Sequence, residues 1–202
     1  KYLIPKLKGI KAYQSAAREI FNRDFDAFVL TRSLAAFERT LFSFDSKFDR
    51  YSKGNENALS AIEKKGWQLF SQKLNCVSCH APPFFTTHEA ANNGLYLTYE
   101  KDEGRFRIHN DSSDIGKFKV PSLRNIELTF PYMHDGSMKT LDEVLNHYSQ
   151  GGEHPKNQDE RIKGFSLSSA DRVALKSFLS SLTDTSYLTT IYGKKSLVLT
   201  PF

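Results

Sequence analysis

The chain has 202 residues, with 28 Lys and Arg against 23 Asp and Glu, a net charge of +5, and 39% hydrophobic and 25% charged residues. Those proportions predict one compact domain able to bury a real core. The positive charge is spread rather than gathered into a block, which argues against nucleic acid as a partner, and no apolar run approaches the roughly 20 residues of a membrane span.

In chain order, Ile10 to Phe21 and Asp26 to Phe44 carry apolar side chains at three- and four-residue spacing, the period of a helix. Phe28, Leu34, Phe37 and Leu41 share one face of the second stretch and are expected to be core. A third helical pattern runs from Ala58 to Ser71. Within it, Ser60 with Glu63 three later has the form of a capping box, marking a kink or a later start.

That helix leads into Cys76-Val77-Ser78-Cys79-His80, which uses both cysteines of the chain. Two thiols so spaced, with a histidine directly after the second, are what covalent attachment of haem c requires. The sulfurs form thioethers to the porphyrin and the imidazole reaches the iron. A structural zinc site needs four ligands, and there is no second cysteine pair. A thioredoxin-like dithiol would follow a strand rather than a helix, and a disulfide would leave His80 unexplained. One covalent haem c is therefore expected. Because haem c is attached outside the bacterial cytoplasm, the location is expected to be periplasmic. With no basic, apolar, small-residue signal opening the chain, a mature or trimmed product is expected.

From Ala81 to Ser137 the turn signals crowd together: Pro82-Pro83, Asn92-Asn93-Gly94, Asp102-Glu103-Gly104 and Asp135-Gly136. An irregular stretch this long inside a compact domain points to function, here the wrapping of a large flat cofactor. Helix resumes at Thr140, paired with Glu143 in a capping box, and ends at Gly151-Gly152. Leu141, Val144, Leu145 and Tyr148 fall on one side, expected inward, while Thr140, Glu143 and His147 fall on the other. A last helix starts around Ser168 and runs through Val173, Leu175, Phe178, Leu179 and Leu182. Thr183 to Phe202 then reads as an extended tail with strand character at Ser196 to Leu199. The fold class expected is mainly α: a cytochrome c-like helical domain with long irregular haem-wrapping loops.

Four segments, FERTLFSFDSKFDRY (Phe37 to Tyr51), GWQLFSQKLNCVSCH (Gly66 to His80), GKFKVPSLRNIELTFPYMHDGSMKTLDEV (Gly116 to Val144) and YSQGG (Tyr148 to Gly152), resemble the C-terminal haem domain of the bacterial di-haem cytochrome c peroxidase family. The resemblance implies that Cys76 and Cys79 are the thioether cysteines and His80 the proximal iron ligand. In peroxidase members a methionine on the helix after the His-Asp-Gly turn is the sixth ligand. Here that position is Tyr148, which resembles the MauG-like branch, whose members oxidise protein residues. A soft thioether favours ferrous iron, whereas a hard anionic phenolate favours oxidised iron. Met133, Met138 and His134 are the rival sixth ligands.

The same resemblance makes Arg124 a propionate partner through its guanidinium fork, and His134 a propionate hydrogen-bond donor. It also makes the backbone carbonyls of Thr129 and Pro131 ligands of a calcium ion between two haems. It further implies a preceding domain, absent here, with its own haem where peroxide reacts. Residues 1–25 are then expected to be the end of a linker, 26–185 the haem domain and 186–202 a C-terminal tail. The implied function is electron transfer to or from that peroxidatic haem, with a redox protein donor or a protein substrate as partner, a homodimer left open, and the fragment inactive alone. The alternative is a stand-alone mono-haem electron carrier.

Overall fold

A computed structural model describes residues 2–184 and 186, and the chain divides into two compact units, residues 1–43 and residues 44 onward. The first unit holds α1 (Leu3–Lys8), α2 (Lys11–Phe21) and α3 (Ala27–Glu38). Asn22 stops α2 by taking the left-handed conformation that Asn tolerates, and Asp26 starts α3 by accepting the Val29 N–H at 3.0 Å. Ala17, Phe25 and Val29 form a small core, with Ile4, Leu7, Phe21 and Leu30 packed on it.

Three expectations change here. The boundary expected between residues 25 and 26 falls between 43 and 44, because α3 buries Val29 against Ala17 and Phe25. The helix expected to reach Phe44 ends at Glu38, where the Thr40 hydroxyl takes the Phe37 carbonyl at 2.7 Å and ends the ladder. Phe28, Leu34 and Phe37, expected in the core, are exposed, since a unit this small cannot cover a whole apolar stripe.

The second unit holds α4 (Lys47–Ser52), α5 (Ala61–Gln68), α6 (Phe106–His109), α7 (Leu141–Gln150) and α8 (Ser169–Ser180). It also contains one antiparallel pair, β1 (Ala90–Ala91) and β2 (Phe118–Lys119), with Ala90 opposite Lys119 and Ala91 opposite Phe118. The capping boxes are local chemistry made visible. The Ser60 N–H donates to Glu63 at 2.7 Å and its hydroxyl accepts the Glu63 N–H, so Ser60 marks the later start of α5 rather than a kink. Thr140 and Glu143 repeat the device on α7, which Gly151 ends at φ 86°.

Packing centres on α5 against α8. A Cβ on Gly66 would collide with the Ala174 carbonyl oxygen, so only glycine lets the two backbones come this close. Around that contact Phe48, Phe70, Phe85 and Phe178 form the core, with ring centroids 5.0–6.2 Å apart in tilted and edge-on pairs. Beyond Gln68 the helix widens into a π turn, Leu69–Lys73, which carries the chain into the cysteine motif. The extended tail expected from Thr183, with its strand at Ser196 to Leu199, lies outside the described residues except for Thr183, Asp184 and Ser186.

Candidate functional site

Asn75, in the left-handed conformation, turns the chain into a single 3-10 turn, Cys76–Ser78, closed by the Cys79 N–H on the Cys76 carbonyl at 3.2 Å, with the His80 N–H on the same carbonyl at 2.9 Å. Both thiols are free, and both line a cavity of about 330 Å³ together with His80. Burial pushes the Cys76 thiol up to about 12 and raises Cys79 as well, while burial lowers the His80 imidazole. The imidazole is held as metal-bound histidines are. Its Nδ1–H donates to the carbonyls of Phe85 at 3.2 Å and Pro121 at 3.1 Å, leaving Nε2 as the basic nitrogen.

The cavity is walled by apolar side chains from the irregular segment and two helices, among them Val120, Pro121, Leu123, Val144, Leu145 and Leu179. Tyr148 lines it from α7, and burial raises its phenol above the ordinary value. Of its rivals, Met133 and His134 also line the cavity, whereas Met138 is not among the described lining residues. Met133 stands at φ 73°, a conformation uncommon outside glycine, so the backbone fixes where its side chain starts. His134 stacks on Phe118, with ring centroids 3.7 Å apart.

Arg124 does not join this group. Its fork meets the Asp49 carboxylate bidentately, Nη1–Oδ2 2.9 Å and Nη2–Oδ1 2.7 Å, and its Nε reaches the Pro83 carbonyl at 2.8 Å. The geometry that suits a propionate has found a carboxylate within the chain, and Arg124 is absent from the described cavity wall. Thr129 and Pro131 sit on an exposed loop, and among the described residues no group of three or more His, Cys, Asp or Glu side chains is arranged to hold a metal ion by itself.

Three residues at the site were missed by sequence reasoning. His147, expected outward, is buried, and its Nε2 lies 2.9 Å from the Asn93 carbonyl oxygen. Asn93, read only as a turn residue, sends its amide nitrogen to Met133 Sδ at 3.4 Å and Tyr148 Oη at 3.5 Å. Arg161 lines the cavity beside the cysteine loop, donating to the Ser78 carbonyl at 3.2 Å while paired with Asp159 at 2.7 Å. Asparagine next to glycine signals a turn first, so nothing local marks Asn93 as part of a site.

The donor set fits haem c. Two unpaired thiols, an imidazole with Nδ1 already committed and a phenol share one apolar cavity, the surroundings a porphyrin needs. Helical fold and site together define a cytochrome c-like domain.

A family model described as di-haem cytochrome c peroxidase matches residues 1–57. The methylamine utilization protein MauG of Methylorubrum extorquens is 35% identical, over 89% of this chain and 52% of its own length. The cytochrome c peroxidase Ccp of Escherichia coli is 33% identical, over 81% of this chain and 37% of its own. The crystal structure of a MauG-like protein associated with microbial copper homeostasis superposes with a TM-score of 0.83 at 29% identity, covering 96% of this chain and 65% of that one. The chain belongs to the di-haem cytochrome c peroxidase and MauG family. It spans about half the length of the MauG protein it matches.

Proposed function

We propose that the chain is the C-terminal haem domain of a di-haem peroxidase or MauG-like oxidase, passing electrons between a redox protein or protein substrate and a second, peroxide-reactive haem on a preceding domain. The observation that carries this reading is the meeting of Cys76, Cys79, His80 and Tyr148 on one apolar cavity. Haem c, when bound, supplies an iron that gains and loses one electron at a time. Cys76 and Cys79 tether the porphyrin through thioethers. His80 is oriented before any iron arrives, because the Phe85 and Pro121 carbonyls hold Nδ1–H. Tyr148, on the same cavity, would offer the iron a hard oxygen donor, which would favour the oxidised metal. The apolar walls exclude water. A periplasmic location accords with covalent haem, and the Thr129 and Pro131 carbonyls would give calcium two of the six to eight oxygens it takes.

Carbon monoxide and peroxide added to the haem-loaded protein test the reading. The spectrum of the native protein is expected to stay unchanged, and that of Tyr148→Phe to shift as the freed position binds ligand. A native protein that binds carbon monoxide as readily as the variant contradicts the electron-transfer role.

A further inference from the structure

Asn93 stands where two competing ligands meet. Its amide nitrogen carries two hydrogens, and two acceptors lie within reach: the Met133 thioether at 3.4 Å and the Tyr148 hydroxyl at 3.5 Å. Both of those side chains, and Asn93 itself, line the cavity that holds Cys76, Cys79 and His80. Thioether and phenol are opposite choices for an iron site, one soft and neutral, the other hard and anionic.

The amide and the turn that carries it are both held. The Asn93 side-chain oxygen accepts the Leu95 N–H at 3.2 Å, which leaves the NH₂ end directed at the two ligands. On the backbone, the Asn93 carbonyl meets His147 Nε2 at 2.9 Å, tying the turn to α7, one residue from Tyr148. Asn92 beside it is buried and closes the turn by accepting the Gly94 N–H at 2.9 Å. A donor fixed in this way cannot follow Met133 if that side chain leaves its present position.

We propose that Asn93 is a positioning residue that selects the axial ligand, engaging the Met133 sulfur so that it stays on the cavity wall while donating to the Tyr148 oxygen. The phenol oxygen has lone pairs to spare, so it accepts from the amide and still binds a metal. The sulfur is a weak acceptor, and one hydrogen bond competes directly with its use as a ligand. His147 acts through Asn93, holding the turn against the helix that carries Tyr148. This selection rests on the reading above that Tyr148 is the sixth ligand.

The test is ferric and near-infrared spectroscopy, with a redox titration, on the haem-loaded native protein and the variants Asn93→Ala, Asn93→Asp and Asn93→Ala with Met133→Leu. Asn93→Asp keeps the acceptor for Leu95 and removes the donor, so a shared result from the two single variants does not come from loss of the turn. The native protein is expected to show a tyrosinate-to-iron transition. Both single variants are expected to gain a methionine-to-iron charge-transfer band, with the reduction potential raised in Asn93→Ala. Adding Met133→Leu should abolish that band and restore the tyrosinate signature. Unchanged spectra and potential in both single variants overturn the role of Asn93 while leaving Tyr148 ligation intact. A methionine band in the native protein overturns both.

Discussion

Arg124 and Asp49 form the most buried ion pair among the described residues, with side chains only 9% and 8% exposed. Arg124→Ala would leave a carboxylate buried without its partner, a loss of roughly 3–5 kcal/mol measurable by chemical denaturation. The pair also sets an acid limit. Burial raises the Asp49 carboxyl, but hydrogen bonds from Arg124 and Ser46 outweigh it and hold the pKa below its ordinary value. Glu63 is likewise lowered, with burial outweighed by Ser60 and Lys47. A folded pKa below the unfolded one stabilises above the unfolded value and loses that contribution as pH falls. Stability should therefore drop below about pH 4, and less steeply in Asp49→Asn. Cys76, Cys79 and His80 were legible as neighbours on one cavity because they stand together in the chain. Arg124 was not, because the carboxylate that claims it lies 75 positions away.

At the scale of elements, the chain is most readable where a few neighbouring residues decide the outcome. Ser60, Thr140 and Ser168 each cap the helix that follows them, as hydroxyls three residues before a carboxylate should. Faces were harder to read. The 3.6-residue period identifies a stripe on α3 but not whether anything covers it, and Phe28, Leu34 and Phe37 are exposed. On α7 the period put His147 outside, yet a hydrogen bond to Asn93, 54 residues earlier, holds it buried. Gly66 shows the same limit, since its necessity appears only when α8 packs on it. Gly66→Ala is expected to destabilise the protein by about 1–3 kcal/mol, because backbone rather than a flexible side chain must move. A thermal melt that matches the native protein would mean that α5 and α8 separate freely.

For the whole molecule, the helical class followed from pattern, whereas the division after residue 43 did not, because it depends on which core Val29 joins. The proposed role requires a second haem, so the full-length polypeptide should carry two haems, counted by pyridine haemochrome against protein concentration. One haem would favour a stand-alone carrier. The central claim, that this cavity holds a covalent haem, is tested most directly by the intact mass of the denatured chain after expression with cytochrome maturation. The expected mass is that of the polypeptide plus one haem, lost together in Cys76→Ala with Cys79→Ala. A native chain fully exposed to the maturation machinery that still weighs only as much as its polypeptide would contradict it.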